Sequence, residues 1–177
     1  NATYIGHPLT RVARKTTPRH DFFKRHRLDP QRPLVVLLPG SRVGEVARHL
    51  QPVTDAARRL KDAQSVLATP AGFRARAGEA FFRERIHGSS IQVLEGEASD
   101  ALSHADLAIA ASGTVTVEAA IAGTPMVTFY RVSPLSWALG RRLVRVPFLT
   151  MVNLIAGRLI VPELMQGQMT GEALARE

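Results

Sequence analysis

Cysteine is absent from this 177-residue chain. That excludes disulfides, thiolate nucleophiles and thiolate-ligated metals, and it favours a reducing, cytoplasmic setting. Lysine is nearly absent too, because 20 of the 23 basic residues are arginine. Aromatic residues make up only 6% of the chain, and no RNA-binding aromatic motif is interleaved with the basic ones, so the charge argues little for nucleic acid. No apolar run reaches the roughly 18 residues that span a bilayer, and no signal-peptide pattern opens the sequence. The six histidines lack a His-x-x-x-His spacing, and no metal or other cofactor is expected. There is no Walker pattern and no Gly-x-Gly-x-x-Gly. Ser41 lacks the second flanking glycine of a nucleophile elbow, which argues against hydrolase chemistry.

What is present suits one globular domain. Hydrophobic residues supply 45% of the chain, enough to bury roughly 70% of the unfolded surface of a domain this size. The formal charge is +8. Much of the excess falls between Arg11 and Arg32, where eight basic residues face only Asp21 and Asp29. This segment reads as a solvated basic face on a polar lead-in, with anionic lipid head groups as an alternative partner.

From Leu34 onward the hydrophobic pattern alternates between short apolar runs and helical stripes. Strands are predicted at Leu34–Leu38, Ser65–Ala68, Ile91–Leu94, Leu107–Ala111 and Pro125–Tyr130. Helices are predicted at Glu45–Lys61, with Pro52 a candidate kink, and at Ala71–Ile86, Ala98–His104 and Thr114–Ala122. The order predicts a Rossmann-like, doubly wound, mostly parallel sheet, whose ligands bind beyond the carboxyl ends of the strands. From Leu135 to Leu164 apolar and basic residues crowd together, as in a helix and loop packed on the sheet or a surface for lipid or a partner.

Two loops carry the candidate chemistry. Pro39-Gly40-Ser41-Arg42 follows the first strand and offers a flexible glycine, a hydroxyl and a guanidinium whose fork fits phosphate. Ser112-Gly113-Thr114 follows the fourth strand and opens a helix, whose unpaired amides suit an anion. About one turn later Glu118 stands in an apolar stretch, placed either to compensate the helix start or to accept hydrogen bonds from a sugar diol.

Four blocks, in this order, resemble the lipid-A-disaccharide synthase family of GT-B glycosyltransferases. They are Tyr4-Ile5-Gly6-His7-Pro8-Leu9; Leu37-Leu38-Pro39-Gly40-Ser41-Arg42 with Glu45-Val46; Ala111-Ser112-Gly113-Thr114 through Glu118 to Pro125-Met126-Val127 and Tyr130-Arg131; and Asn153-Leu154-Ile155-Ala156-Gly157-Arg158 leading to Val161-Pro162-Glu163-Leu164. The resemblance spans nearly the whole chain and implies a single carboxyl-terminal GT-B domain over residues 1–177 that binds a UDP-sugar, with residues 1–10 at the interdomain crossover.

The implied reaction transfers diacylglucosamine from UDP-diacylglucosamine to diacylglucosamine 1-phosphate with inversion, releasing UDP. The acceptor surface and general base would then lie in an amino-terminal half that has no counterpart here, so the fragment alone is expected to be inactive. The family's final helices, which take part in dimer formation, are likewise expected to lie beyond Glu177. By the same resemblance Gly40, Ser41 and Arg42 meet the donor pyrophosphate, with Arg42 stabilising the leaving group. Ser112, Gly113 and Thr114 contribute amides, Glu118 holds the ribose, and Asn153 reaches the donor. The expected setting is cytoplasmic and peripheral to the inner membrane.

One departure falls beside Asn153, where Thr150-Met151-Val152 replaces the family's usual Ser-Leu-Pro. The competing readings are another UDP-GlcNAc-dependent transferase or epimerase, which would lack the Asn-Leu-x-Ala-Gly-Arg block, and a basic module for nucleic acid or membrane.

Overall fold

The computed structural model describes residues 17–86, 88–143 and 146–177. Its centre is a six-stranded parallel sheet in the order β3-β2-β1-β4-β5-β6. The strands are β1 (Leu34–Leu38), β2 (Gln64–Thr69), β3 (Gln92–Glu95), β4 (Leu107–Ala111), β5 (Met126–Tyr130) and β6 (Glu163–Met165). The predicted doubly wound sheet is therefore present, with one further strand, β6. At three residues, β6 is too short for a sequence period.

Alternation along the strands divides the core in two. Val35, Leu37, Ile109, Ala111, Val127 and Phe129 pack on one face with helix α2 (Val43–Arg59). Helices α3 (Phe73–Ala77) and α4 (Glu79–Arg85) join that face through Phe73, Phe81 and Phe82. Leu34, Val36, Leu38, Ala108, Ala110 and Met126 pack on the other with α1 (Arg19–Arg25), α5 (Ala98–His104) and α6 (Thr114–Ala122). The helix after β1 and the helix after β4 thus lie on opposite faces, and these two strands are neighbours. A crevice must open where their connections part.

Three expectations need correction. The helix expected over 71–86 is two helices, because Gly78 adopts φ +86 between them, a conformation that a side-chain-bearing residue rarely takes. Helix α2 begins at Val43, ends at Arg59 and runs through Pro52. The lead-in is not merely a solvated basic face, since α1 buries Phe22 completely and Phe23 to 3% exposure.

The cations around those phenylalanines are used internally. Arg19 donates to the His104 carbonyl, lies 3.8 Å from Asp106 and covers the Phe23 ring at 4.2 Å. Arg25 pairs with Glu97 at 3.3 Å, and Arg32 donates to the carbonyls of Lys61, Asp62 and Ala63. Residues 1–10, assigned to the crossover, and Arg11, Arg14 and Lys15 lie outside the described residues.

Helix α7 (Pro134–Leu143) follows β5, and α8 (Met151–Ala156) packs beside α6. The chain then passes through β6 to α9 (Gly171–Arg176), which returns to lie along α2. The approach is close at Gly171, where a Cβ would stand 2.5 Å from the Asp55 Cβ. Met169 and Leu174 are buried at this contact, and the Arg131 guanidinium ties it to β5 through the carbonyls of Gln166 and Met169. No described helix is long and apolar enough to cross a membrane.

Candidate functional site

A cleft of about 370 Å³ opens at the carboxyl ends of β1, β2, β3 and β4. Its walls include Gly40, Ser41, Glu45, Ser112, Gly113, Thr114 and Glu118, with Thr69, Pro70, Gly96 and Ser99 between them. The two loops singled out by sequence, some 70 residues apart, therefore meet across one opening. They meet because β1 and β4 are adjacent and parallel, so their carboxyl ends stop at the same level.

Each wall has its own local cause. On the β4 side Ser112 donates its backbone N–H to Phe129 and its hydroxyl to the Leu149 carbonyl, fixing the turn. No side chain caps α6, and the first amides of any helix lack intrahelical partners. Gly113, Thr114 and Val115 line the cleft with that positive helix end. Half-buried Glu118 sits one turn further along and accepts a hydrogen bond from the Ser99 hydroxyl at 3.3 Å.

On the β1 side Gly40 takes φ +123, which only glycine adopts without strain. Arg42 is exposed at the start of α2 in an extended conformation, φ −102 and ψ 140. Its guanidinium pairs with no carboxylate among the described residues. His49, fully buried, braces this loop from behind: its Nδ1 meets the Pro39 carbonyl at 2.7 Å and its Nε2 meets the Arg131 backbone. The Pro39–Arg42 loop is thereby tied to the end of β5.

Asn153 is placed differently. It is fully buried and absent from the cleft wall. Its amide nitrogen donates to the Val161 carbonyl at 2.9 Å and to Glu163 Oε1 at 2.7 Å, while its Oδ1 accepts the amides of Ile160 and Val161. Both ends of the side chain are spent within the protein, so Asn153 closes the 157–162 loop onto α8. Thr150, in the segment that departs from the family pattern, supplies the N-cap of α8 by accepting the Asn153 N–H.

Glu163 completes this clamp. Its carboxylate accepts from the amides of Leu149 and Thr150, the Thr150 hydroxyl and the Asn153 amide. Partial burial pushes its pKa up, but these hydrogen bonds outweigh burial and hold it below its ordinary 4.5. A depressed carboxylate stabilises the fold above its unfolded pKa and loses that contribution as pH falls through the folded one. Acid titration of the thermal midpoint below pH 4.5 is therefore expected to be shallower for Glu163→Gln than for the parent; equal slopes would remove the clamp from the acid response.

Beside the clamp, Leu154, Ile155, Leu159 and Ile160 stand exposed, Ile155 to 75%. The apolar segment thus belongs partly to the core, through Val152, and partly to the surface.

Several cleft residues escaped the sequence reading. Thr69 ends β2, and Pro70, Gly96 and Ser99 follow strands whose carboxyl ends were foreseeable, but nothing in their types marks them. Glu45 was assigned only to a helix start, and the direction of its side chain has no sequence signal. No group of three or more metal-binding side chains gathers among the described residues.

The family described as lipid-A-disaccharide synthetase matches residues 1–177. The lipid-A-disaccharide synthase of Solibacter usitatus is 59% identical over 177 residues, covering 99% of this chain and 46% of that protein. That of Myxococcus xanthus is 35% identical over 179 residues, covering 100% and 47%. The chain spans about half the length of the curated relatives it matches.

Solved structures share the fold. E. coli ADP-heptose lps heptosyltransferase II aligns with a TM-score of 0.60 at 15% identity, over 89% of this chain and 49% of that one. Anabaena HepE, solved in complex with UDP-glucose, aligns with a TM-score of 0.55 at 14% identity, over 93% and 43%.

Proposed function

This chain belongs to the lipid-A-disaccharide synthetase family, and we propose that its cleft is the donor side of that enzyme, holding the UDP of UDP-diacylglucosamine. The observation that carries this reading is the convergence of Gly40 and Ser41, the start of α6 and Glu118 on one cleft. The diphosphate would lie between the Ser41–Arg42 segment and the amides of Gly113 and Thr114. The ribose hydroxyls would donate to Glu118. Arg42, exposed, outside the cleft wall and unpaired among the described carboxylates, would swing onto the diphosphate and balance the charge that builds on UDP as it leaves.

Such catalysis is fixed charge stabilisation, and it calls for no cofactor. The acceptor, diacylglucosamine 1-phosphate, and the base that removes its proton belong in this reading to the amino-terminal half. The exposed side chains of Leu154, Ile155, Leu159 and Ile160 support a peripheral encounter with lipid at the cytoplasmic face of the inner membrane.

Between this reading and another UDP-GlcNAc transferase or epimerase, the clamp favours the former. The Asn-Leu-x-Ala-Gly-Arg block, foreign to the alternatives, is here a built structural unit around Asn153. A basic nucleic-acid module draws little support from Arg19, Arg25 and Arg32, which are engaged by the protein's own carbonyls and carboxylates.

Calorimetric titration of the chain with UDP tests the proposal. Arg42→Ala is expected to weaken binding about tenfold or more, the loss of one charge-assisted hydrogen bond. No heat at millimolar UDP from a folded sample would sink the reading.

A further inference from the structure

The amides at the start of α2 are not waiting empty. Glu45, the third residue of that helix, reaches back so that its Oε2 accepts from the Ser41 N–H at 3.0 Å and the Arg42 N–H at 3.4 Å. It also lines the cleft and is half-buried there. The loop is shaped to admit it: a Cβ on Gly40 would fall 2.5 Å from the Glu45 Cδ and Oε2. Any larger residue at position 40 would push the carboxylate off. The opposite wall, at Gly113 and Thr114, has no such capping side chain among the described residues.

We propose that Glu45 is a built-in competitor for the anion cradle, a carboxylate that holds the Ser41 and Arg42 amides in the free protein and is displaced by the diphosphate of the ligand. The inference rests on the donor-site reading given above and adds a specificity device to it. Two anions cannot share the same two N–H groups at hydrogen-bonding distance without strong mutual repulsion. The carboxylate therefore taxes every anionic ligand. A nucleoside diphosphate recovers that cost at the α6 amides, Arg42 and Glu118, whereas a lone phosphate, bound only at the cradle, does not. Glu45 thus biases the site toward extended diphosphate esters and keeps the loop ordered between turnovers.

Glu45→Gln separates charge from shape, since the glutamine oxygen still accepts from Ser41 while the negative charge is gone. In calorimetric titration the variant is expected to bind UDP about threefold or more tightly than the parent, and to gain measurable affinity for inorganic phosphate. Backbone amide resonances of Ser41 and Arg42 in the unaltered chain are expected to move on adding UDP, with the Glu45 carboxylate carbon moving with them. UDP affinity that is unchanged or weaker in Glu45→Gln overturns the proposal and leaves the donor site standing. So does a UDP complex in which Glu45 Oε2 remains on the Ser41 amide. If neither protein binds UDP, the site reading falls and the role of Glu45 with it.

Discussion

Truncating Phe22 to alanine is expected to destabilise the protein by about 3–5 kcal/mol, the range for emptying a buried aromatic site. For a domain of this size that corresponds to a fall of roughly 6–20 °C in the thermal midpoint. The side chain is wholly buried among Leu34, Val36 and Ala101, and its ring lies 4.6 Å from that of His26 and 5.2 Å from that of His104. The helix that carries it is held at both ends, by His26 against Glu97 at 3.1 Å after its last turn and by Thr17 before its first. Asp100 accepts hydrogen bonds from the Thr17 N–H and hydroxyl, and the His104 Nε2 meets the Thr17 carbonyl at 2.8 Å. A scanning calorimetry shift of only a degree or two would return the segment to a loosely attached basic surface.

Asn153→Ala is the second large effect, about 2–4 kcal/mol, because it removes a fully buried side chain and breaks four hydrogen bonds at once. The Ile160 and Val161 amides, the Val161 carbonyl and one Glu163 oxygen all lose a bond. The loss is expected in stability rather than in recognition. Chemical unfolding would show the drop in the denaturation midpoint, while UDP affinity, measured well below that midpoint, would stay within about twofold of the parent. A variant that kept its stability but lost UDP binding would restore Asn153 to the donor and contradict its placement.

Neither residue was legible in the sequence, although much of the frame around them was. The strands β1 and β4 were legible to the residue because a strand buried on both faces must be apolar at every position, as Leu34–Leu38 and Leu107–Ala111 are. The loops after them were legible as turns at the carboxyl ends of strands, and residues of both line one cleft. Helix α1 was not: at seven residues, with Phe22 and Phe23 among charges, it is too short to show a stripe. Asn153 was assigned to the donor by the family resemblance alone, and its structural role was not legible because its partners, eight and ten residues away, come within reach only once the 157–163 loop has folded back. Glu45 was visible as a helix-start acid, but only coordinates show that it leans over Gly40 into the cleft.

The strand order has a consequence for how such a chain is made. β1 is the earliest strand among the described residues and sits in the middle of the sheet, flanked by β2 and β4. Leu34 pairs with Gln64, and Val35 with Leu107, so the second neighbour is some 70 residues away. During synthesis at about 5–20 residues per second, Leu-Val-Val-Leu-Leu spends several seconds with one edge unpaired after β2 has formed. An apolar, uncharged strand edge is a template for association with other chains. The residue run that anchors the finished sheet is thus its most exposed liability while the sheet is incomplete, and β4 ends that exposure in the same event that assembles the cleft.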